Sequence, residues 1–594
     1  MSQPVRPSSH RRDLASRRSR RRLPARLLPT LGLVAVAGLA SAPVAVAADR
    51  VETPIVSSSP QSDVVSSAVR IRVPLPSTAG ARPEACDWLS YMRYRSKTGP
   101  SDATQADSVA VLMPGLIEGA TAFDPVARNT IREAKRRGKS IEVWGLDRRS
   151  NCLEDRTGIE ASEAKGDVET MLGYYYGKKA VGGKTFPGFA APDAKFLADL
   201  GVAQTVKDYY AVLTNELPSQ PWREKHVICG GHSMGGPLTE AFAAWDFDGN
   251  TATTADAGWR QCAGFIGFDT ALKGQIAGRT AAGTSLLDQL SGGFISGLNG
   301  VSYDAIKTGI VPRYIDLIGI GPETMGLLEA IGYLADTRPG EDWSSTVARV
   351  PNSGQIKDFL HLSGSVDFGR WTLSSDSMRD YRYSYAAALG QIMDDNGAVF
   401  GLVRSSFGFF DNTGVRKNQL PAALKPIPGL GTFVQPGKLV LPTATNPKPL
   451  IGWRNYDALN AGSPVGTGWT TPADEVTDFR DFARILHEGP LSLTENYFPI
   501  RLFLDLSLAS NGDRSKELAN LKYADGVTRK PRFTVIAGDG LRGTADTYSD
   551  PIVKLPGYQH LDVLTASERQ NDGRPEGSSQ AFANLIDQAL SAAN

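Results

Sequence analysis

The chain has 594 residues, with 64 Lys and Arg against 63 Asp and Glu, a formal charge of +1. Nine of the basic residues and one acidic residue fall in residues 1–47, which leaves 55 against 62 in the remainder. That acidic surplus argues against nucleic acid as a partner.

Residues 1–47 read as a secretory signal peptide: a cationic stretch from Arg6 to Arg26, an apolar run from Leu31 to Ala40, and small residues ending Ala45-Val46-Ala47, with cleavage near Ala47. The apolar run is too short for a membrane span and no later stretch reaches its length, so the mature chain is expected to be secreted, without an integral membrane segment. The paired arginines of Ser16-Arg17-Arg18-Ser19-Arg20 lack the apolar residues that usually follow a twin-arginine pair, and the export route stays open. Four cysteines, Cys86, Cys152, Cys229 and Cys262, permit two disulfides in such a chain, and no pair has zinc-site spacing.

From Cys86 to Ala271 short apolar runs alternate with helical patterns, as in βαβ units around a mostly parallel sheet. Strands are expected at Ala85–Arg95, Ser108–Met113, Ser140–Leu146, Lys225–Cys229 and Gly264–Phe268, and helices at Pro125–Arg137, Ala194–Leu217 and Pro237–Trp245. Residues 272–530 break this alternation. They are rich in Gly, Pro and aromatics, with a helical piece at Glu323–Leu334 and a loop-like tract from Lys425 to Gly468, and read as an inserted cap. The alternation resumes with strands Arg532–Ala537 and Ile552–Leu555 and a helix Ser579–Ala592. The division is therefore signal peptide 1–47, first core part 48–271, cap or lid 272–530 and second core part 531–594. Aromatic clusters in the insertion, Ser406–Phe410 and Glu495–Phe498, would line an acyl pocket or serve as packing.

The sharpest motif is His226-Val-Ile-Cys-Gly-Gly-His-Ser-Met-Gly-Gly-Pro237, which sets Gly231-x-Ser233-x-Gly235 between an apolar strand and a helix. A nucleophilic serine needs that context, because its hydroxyl projects from a strained turn and side chains two residues either side would block the strand-to-helix approach. No Lys follows in the position a phosphate loop requires. The serine needs a base, and six histidines exist. His10 leaves with the signal peptide, His226 opens the strand away from the elbow, His232 flanks the serine on a turn expected to aim its ring elsewhere, and His361 and His487 lie in the insertion. His560 remains, on a loop between the last short strand and the last helix.

The segments Gly231-His-Ser-Met-Gly-Gly236 and Pro556-Gly-Tyr-Gln-His560-Leu-Asp562 resemble the elbow and histidine loop of secreted lipases and esterases of the α/β-hydrolase superfamily. The resemblance covers residues 86–271 and 531–592. It implies an α/β fold with a mostly parallel central sheet flanked by helices, and acyl chemistry on a carboxylic ester of a small molecule or lipid through Ser233, His560 and an aspartate, with no cofactor or metal. Two aspartates suit the order serine, acid, histidine: Asp539 after the penultimate strand and Asp269 after the strand that follows the elbow. Asp546 is a weaker candidate, and Asp562 reads as a structural carboxylate holding the histidine loop. The resemblance further implies an oxyanion hole from the N–H groups of Met234 and Leu116. It also implies a Cys86–Cys152 disulfide, since the strand at Cys86 would run antiparallel beside the strand ending at Leu146. Cys229 and Cys262 are expected at opposite ends of parallel strands and so unbridged. The rival readings are a peptidase or acyltransferase on the same scaffold, or an exported binding protein without catalysis.

Overall fold

The computed structural model describes residues 49–593 apart from 192–193, 273–275, 277–300, 318, 353, 428–430, 432–433, 436, 444–447, 460–465, 467, 511, 514 and 542–550. Nine strands form the main sheet: β1 Arg50–Ile55, β2 Val64–Arg72, β3 Trp88–Ser96, β4 Ser108–Met113, β5 Ile141–Leu146, β6 Val227–His232, β7 Gly264–Phe268, β8 Arg532–Ala537 and β9 Ile552–Leu555. Their spatial order is β1-β2-β3-β5-β4-β6-β7-β8-β9. The pairs β1/β2, β2/β3 and β3/β5 are antiparallel, and every pair from β5 to β9 is parallel. The largely apolar strands β4, β5, β6 and β7 are buried along their whole length, as strands covered on both faces must be.

Helix α1, Asp124–Arg136, packs on the closing helix α4, Gly577–Ala593, while α2, Val202–Glu216, packs on α3, Gly235–Ala244. This sheet with its helices is the α/β-hydrolase fold. Between β7 and β8 the chain makes an insertion whose described helices include Pro322–Thr337, Tyr385–Met393 and Ile500–Ser510, with two small ribbons at Gly408–Asp411/Gly452–Asn455 and Val415–Lys417/Val440–Pro442. Its apolar residues join those of the sheet in one continuous core. The Ser406–Phe410 aromatics and Phe498 belong to that core, and Tyr497 to a smaller cluster around Phe196: Phe407 packs among Trp453, Phe479 and Phe482, and Phe498 lies beneath the Arg148 guanidinium.

Three features depart from the sequence reading. The strands β1 and β2 extend the sheet beyond the early strand at Cys86, and that strand itself starts at Trp88, leaving Cys86 in a preceding turn, Glu84–Asp87. Disulfides join Cys86 to Cys152 and also Cys229 to Cys262, whose Cα atoms are 5.8 Å apart. The expectation for the second pair failed because β6 runs from Val227, after a short helix Gln220–His226, to His232, rather than from Lys225 to Cys229. Cys229 thus lies in the first half of its strand, paired with Phe265, and Cys262 sits just ahead of β7 at the same end. No helix among the described residues is long and apolar enough to cross a membrane.

Candidate active site

The site lies at the carboxyl ends of β4, β6, β7 and β9. Strand β6 ends at His232, and Ser233 follows with φ +51°, a left-handed conformation that L side chains rarely adopt, before α3 begins at Gly235. The strained turn is held from both sides. The Ser233 N–H donates to Phe268 O (2.9 Å), and its carbonyl accepts from the Thr270 hydroxyl (2.6 Å) and the Gly236 N–H (3.1 Å). A Cβ on Gly231 would stand 2.5 Å from the Gly235 carbonyl, and one on Gly235 would stand 2.1 Å from Met113 O. Glycine is therefore required at both positions by backbone approach.

His560 stands on the loop between β9 and α4, buried like Ser233, and both line one cleft with Gly115, Leu116, Glu118 and His232. Its Nδ1 is 2.5 Å from Asp269 Oδ2. Asp269 follows β7, is itself strained at φ +40°, and is completely buried. It donates its N–H to Val535 O (2.7 Å), and its Oδ1 accepts from the Ala537 N–H (3.2 Å). Close packing from the next strand confines this carboxylate, since a Cβ on Gly540 would meet its Oδ2 at 2.5 Å.

The two aspartates of the sequence reading are thus separated. Asp269 reaches His560, whereas Asp539 is an exposed residue whose N–H donates to Tyr558 O and whose carbonyl accepts from Gln435 Nε2. Asp546 lies outside the described residues. Asp562 accepts from the Ser405 hydroxyl (2.6 Å), the Ser406 N–H (2.9 Å) and hydroxyl (2.5 Å), the Thr477 hydroxyl (2.8 Å) and the Gln559 N–H (2.7 Å). It thereby pins the histidine loop to two segments of the insertion.

Met234 and Leu116 are buried beside Ser233, and neither N–H is taken by an acceptor among the described residues. Two adjacent buried donors without acceptors are uncommon in a folded core. The loop 114–119 owes its shape to Arg148, a buried residue just past the end of β5. Its guanidinium donates to the carbonyls of Pro114 (2.7 Å), Gly115 and Glu118 (3.1 Å) and pairs with Glu495 at 2.6 Å. The loop also bonds to the insertion through Gly119 N–H to Leu493 O (2.6 Å) and Glu495 N–H to Ile117 O (2.9 Å).

The Glu118–His232 pair was missed outright. The His232 ring does not point away: its Nδ1 is 3.0 Å from both Glu118 carboxylate oxygens and its Nε2 is 2.9 Å from the His560 carbonyl. Glu118 also accepts from the Gly115 N–H. The His560 carbonyl only accepts, so Nε2 carries a proton, and with Nδ1 donating to the carboxylate the ring is an imidazolium. Burial alone would lower the His232 value, but the Glu118 carboxylate raises it above the ordinary histidine range. Burial likewise opposes ionised Glu118, yet the His232 charge and hydrogen bond hold its carboxyl below the usual range. His560, 4.4 Å away ring to ring, moves the other way: burial and then the His232 charge depress it, against the pull of Asp269.

On the side facing the insertion the cleft is apolar, lined by Met325, Leu328, Met393, Leu402 and Leu493. His361 and His487 take no part: His361 bonds to the Asp376 and Trp371 carbonyls, and His487 to Glu163 and Asp336.

No family model matches the chain, and no curated protein matches it. Among solved structures the chain is similar to juvenile hormone epoxide hydrolase from the silkworm Bombyx mori, at 10% identity over 89% of this chain and 80% of that one, with a TM-score of 0.30. It is similar to the alpha/beta hydrolase GrgF from Penicillium sp. sh18, at 10% identity over 91% and 99%, with a TM-score of 0.29. It is also similar to the thioesterase domain from the curacin biosynthetic pathway, at 11% identity over 84% and 95%, with a TM-score of 0.26. Likenesses of this size say nothing of what the chain does.

Proposed function

We propose that the chain is an exported serine hydrolase that cleaves carboxylic esters through an acyl-enzyme. The observation that carries this reading is the 2.5 Å bond between His560 Nδ1 and Asp269 in the same cleft as a serine held at positive φ on a strand-to-helix turn. With Nδ1 donating to Asp269, the His560 proton sits on that nitrogen and Nε2 is left basic. His560 Nε2 takes the Ser233 proton as Oγ attacks the ester carbonyl. Asp269 stabilises the resulting imidazolium, and the free N–H groups of Met234 and Leu116 meet the oxyanion. The imidazolium then protonates the leaving alcohol. Water, deprotonated by His560, releases the acid and restores the serine.

The apolar lining by Met325, Leu328, Met393 and Leu402 favours an apolar acyl group, and the insertion that supplies it serves as the cap of the cleft. The two disulfides suit an oxidising destination outside the cell, as does the signal peptide read at residues 1–47. Hydrolysis of nitrophenyl esters of graded chain length, beside the matching anilides, tests the reading with Ser233→Ala as control. Ester cleavage lost in that variant is expected. Cleavage of anilides alone, or unchanged ester turnover in Ser233→Ala, would refute it.

A further inference from the structure

His487, outside the active site, lies just past the helix Phe479–Ile485 and is only 5% exposed. Both of its ring nitrogens meet carboxylates: Nδ1 stands 2.6 Å from Glu163 Oε1, and Nε2 stands 3.1 Å from Asp336 Oδ2. A carboxylate only accepts, so both nitrogens carry protons and the ring is an imidazolium. The two acceptors come from different parts of the chain. Glu163 lies on the helix Thr157–Lys165 of the core, between β5 and β6, and Asp336 lies near the end of the insertion helix Pro322–Thr337. One protonated ring therefore joins core to insertion.

The other charged and titratable groups around the ring are spent elsewhere. Arg156, just ahead of the core helix, donates to the His487 and Gly489 carbonyls (2.6 and 3.2 Å) and to Glu329 (3.0 Å). Arg484, one turn before His487, donates to Asp124, Asp481 and Glu488. Glu488 in turn accepts from the Ser57 hydroxyl and the Ser58 N–H. Tyr333, edge-on to the imidazole at 5.3 Å, donates its hydroxyl to the Ser162 carbonyl (3.0 Å). Burial by itself would lower the His487 value, but hydrogen bonds and charge from Asp336 and Glu163 raise it above the ordinary histidine range. A cavity of about 460 Å³, lined by Glu163, Tyr333, Thr337, His487 and Glu488, gives water a path to the ring.

A neutral imidazole has one N–H and one lone pair, so after loss of a proton one of the two carboxylates faces an acceptor at hydrogen-bond distance and must move away. The longer contact, to Asp336, is the one that gives way. The helix that carries Asp336 also carries Met325 and Leu328, which line the apolar side of the cleft. We propose that His487 is a pH-operated latch between core and insertion: protonated, it fastens the helix Pro322–Thr337 to the helix Thr157–Lys165, and neutral, it lets the insertion helix loosen over the cleft. Because the folded-state value is raised, the share of stability that the latch contributes is complete below the ordinary histidine range and is lost as pH climbs through the raised value. The latch is read by stability and amide exchange, so it stands or falls independently of the esterase reading.

The test follows the secreted wild-type chain, His487→Gln and Asp336→Asn from about pH 6 to about pH 10, reading Tm and the hydrogen-exchange protection factors of peptides from 322–337 and from β4. In the wild type, protection of 322–337 should fall by about tenfold as pH rises, while that of β4 holds. His487→Gln, which has no ring to titrate, should melt about 2 °C below the wild type at the acid end, with the gap closing toward the alkaline end. Asp336→Asn keeps an oxygen that can accept but loses the charge that raises the ring's value, so its fall should begin at lower pH than that of the wild type. Wild-type protection of 322–337 that tracks β4 at every pH would overturn the latch, and that result needs no variant to fold. So would parallel Tm curves for the wild type and His487→Gln, or an Asp336→Asn whose fall has not moved.

Discussion

Replacing Asp269 by Asn tests the proposed acid with almost no change of shape. The Asn oxygen can still accept from the Ala537 N–H, now 3.2 Å from Oδ1. Its NH₂ would then face His560 Nδ1, which must accept, so the ring proton moves to Nε2 where the base is needed. The ring would also lose the one anion bonded to it, in a pocket where burial and the His232 charge already disfavour its protonated form. The wrong tautomer costs about 10⁴ in kcat, or about 5.5 kcal/mol on the barrier. The assay is stopped-flow hydrolysis of a nitrophenyl ester, with urea unfolding to show that the variant is folded. Asp539→Asn, at an exposed position, should stay close to wild type. A folded Asp269→Asn within tenfold of wild type, or an equal loss in Asp539→Asn, would refute this assignment.

Other outcomes follow from the same geometry. The acid limb of kcat/KM should lie below the ordinary histidine value, because His560 is depressed and the enzyme loses activity only once that ring takes a proton. Glu118→Gln should discharge His232 and move that limb to higher pH, because the His232 charge acts on His560 more strongly than the Glu118 charge removed with it; a limb that stays or moves lower contradicts the pairing. Gly235→Ala places a Cβ 2.1 Å from Met113 O and should destabilise the fold by about 3 kcal/mol in urea titration, with activity lost. Replacing Cys229 and Cys262 by Ser opens a loop of sequence separation 33 and should lower stability by about 4 kcal/mol, measured the same way.

The elbow was legible because its signal is local: an apolar strand, a serine between two glycines, and a helix, within twelve residues of sequence. His560 followed from elimination among few histidines. Which aspartate reaches His560 was not legible, since Asp269 and Asp539 follow adjacent parallel strands, β7 and β8, and only their surroundings separate them. His232 was misread for a related reason: its ring is turned by Glu118, 114 residues away, so no local pattern announces it. Placing the strand at Lys225–Cys229 instead of Val227–His232, which put Cys229 at its end rather than in its first half, was enough to hide the Cys229–Cys262 bridge. The insertion offered little periodic signal, because most of its described elements are short and take their shape from contacts such as those of Asp562 and Arg148.

The most direct measurement is labelling of the folded, secreted protein with a fluorophosphonate, followed by peptide mapping, in wild type and in His560→Ala. A single adduct on Ser233, formed rapidly in wild type and at least about a thousandfold more slowly in His560→Ala, is the expected result. An unlabelled Ser233, or labelling equally fast without His560, would contradict the pairing of that hydroxyl with that imidazole.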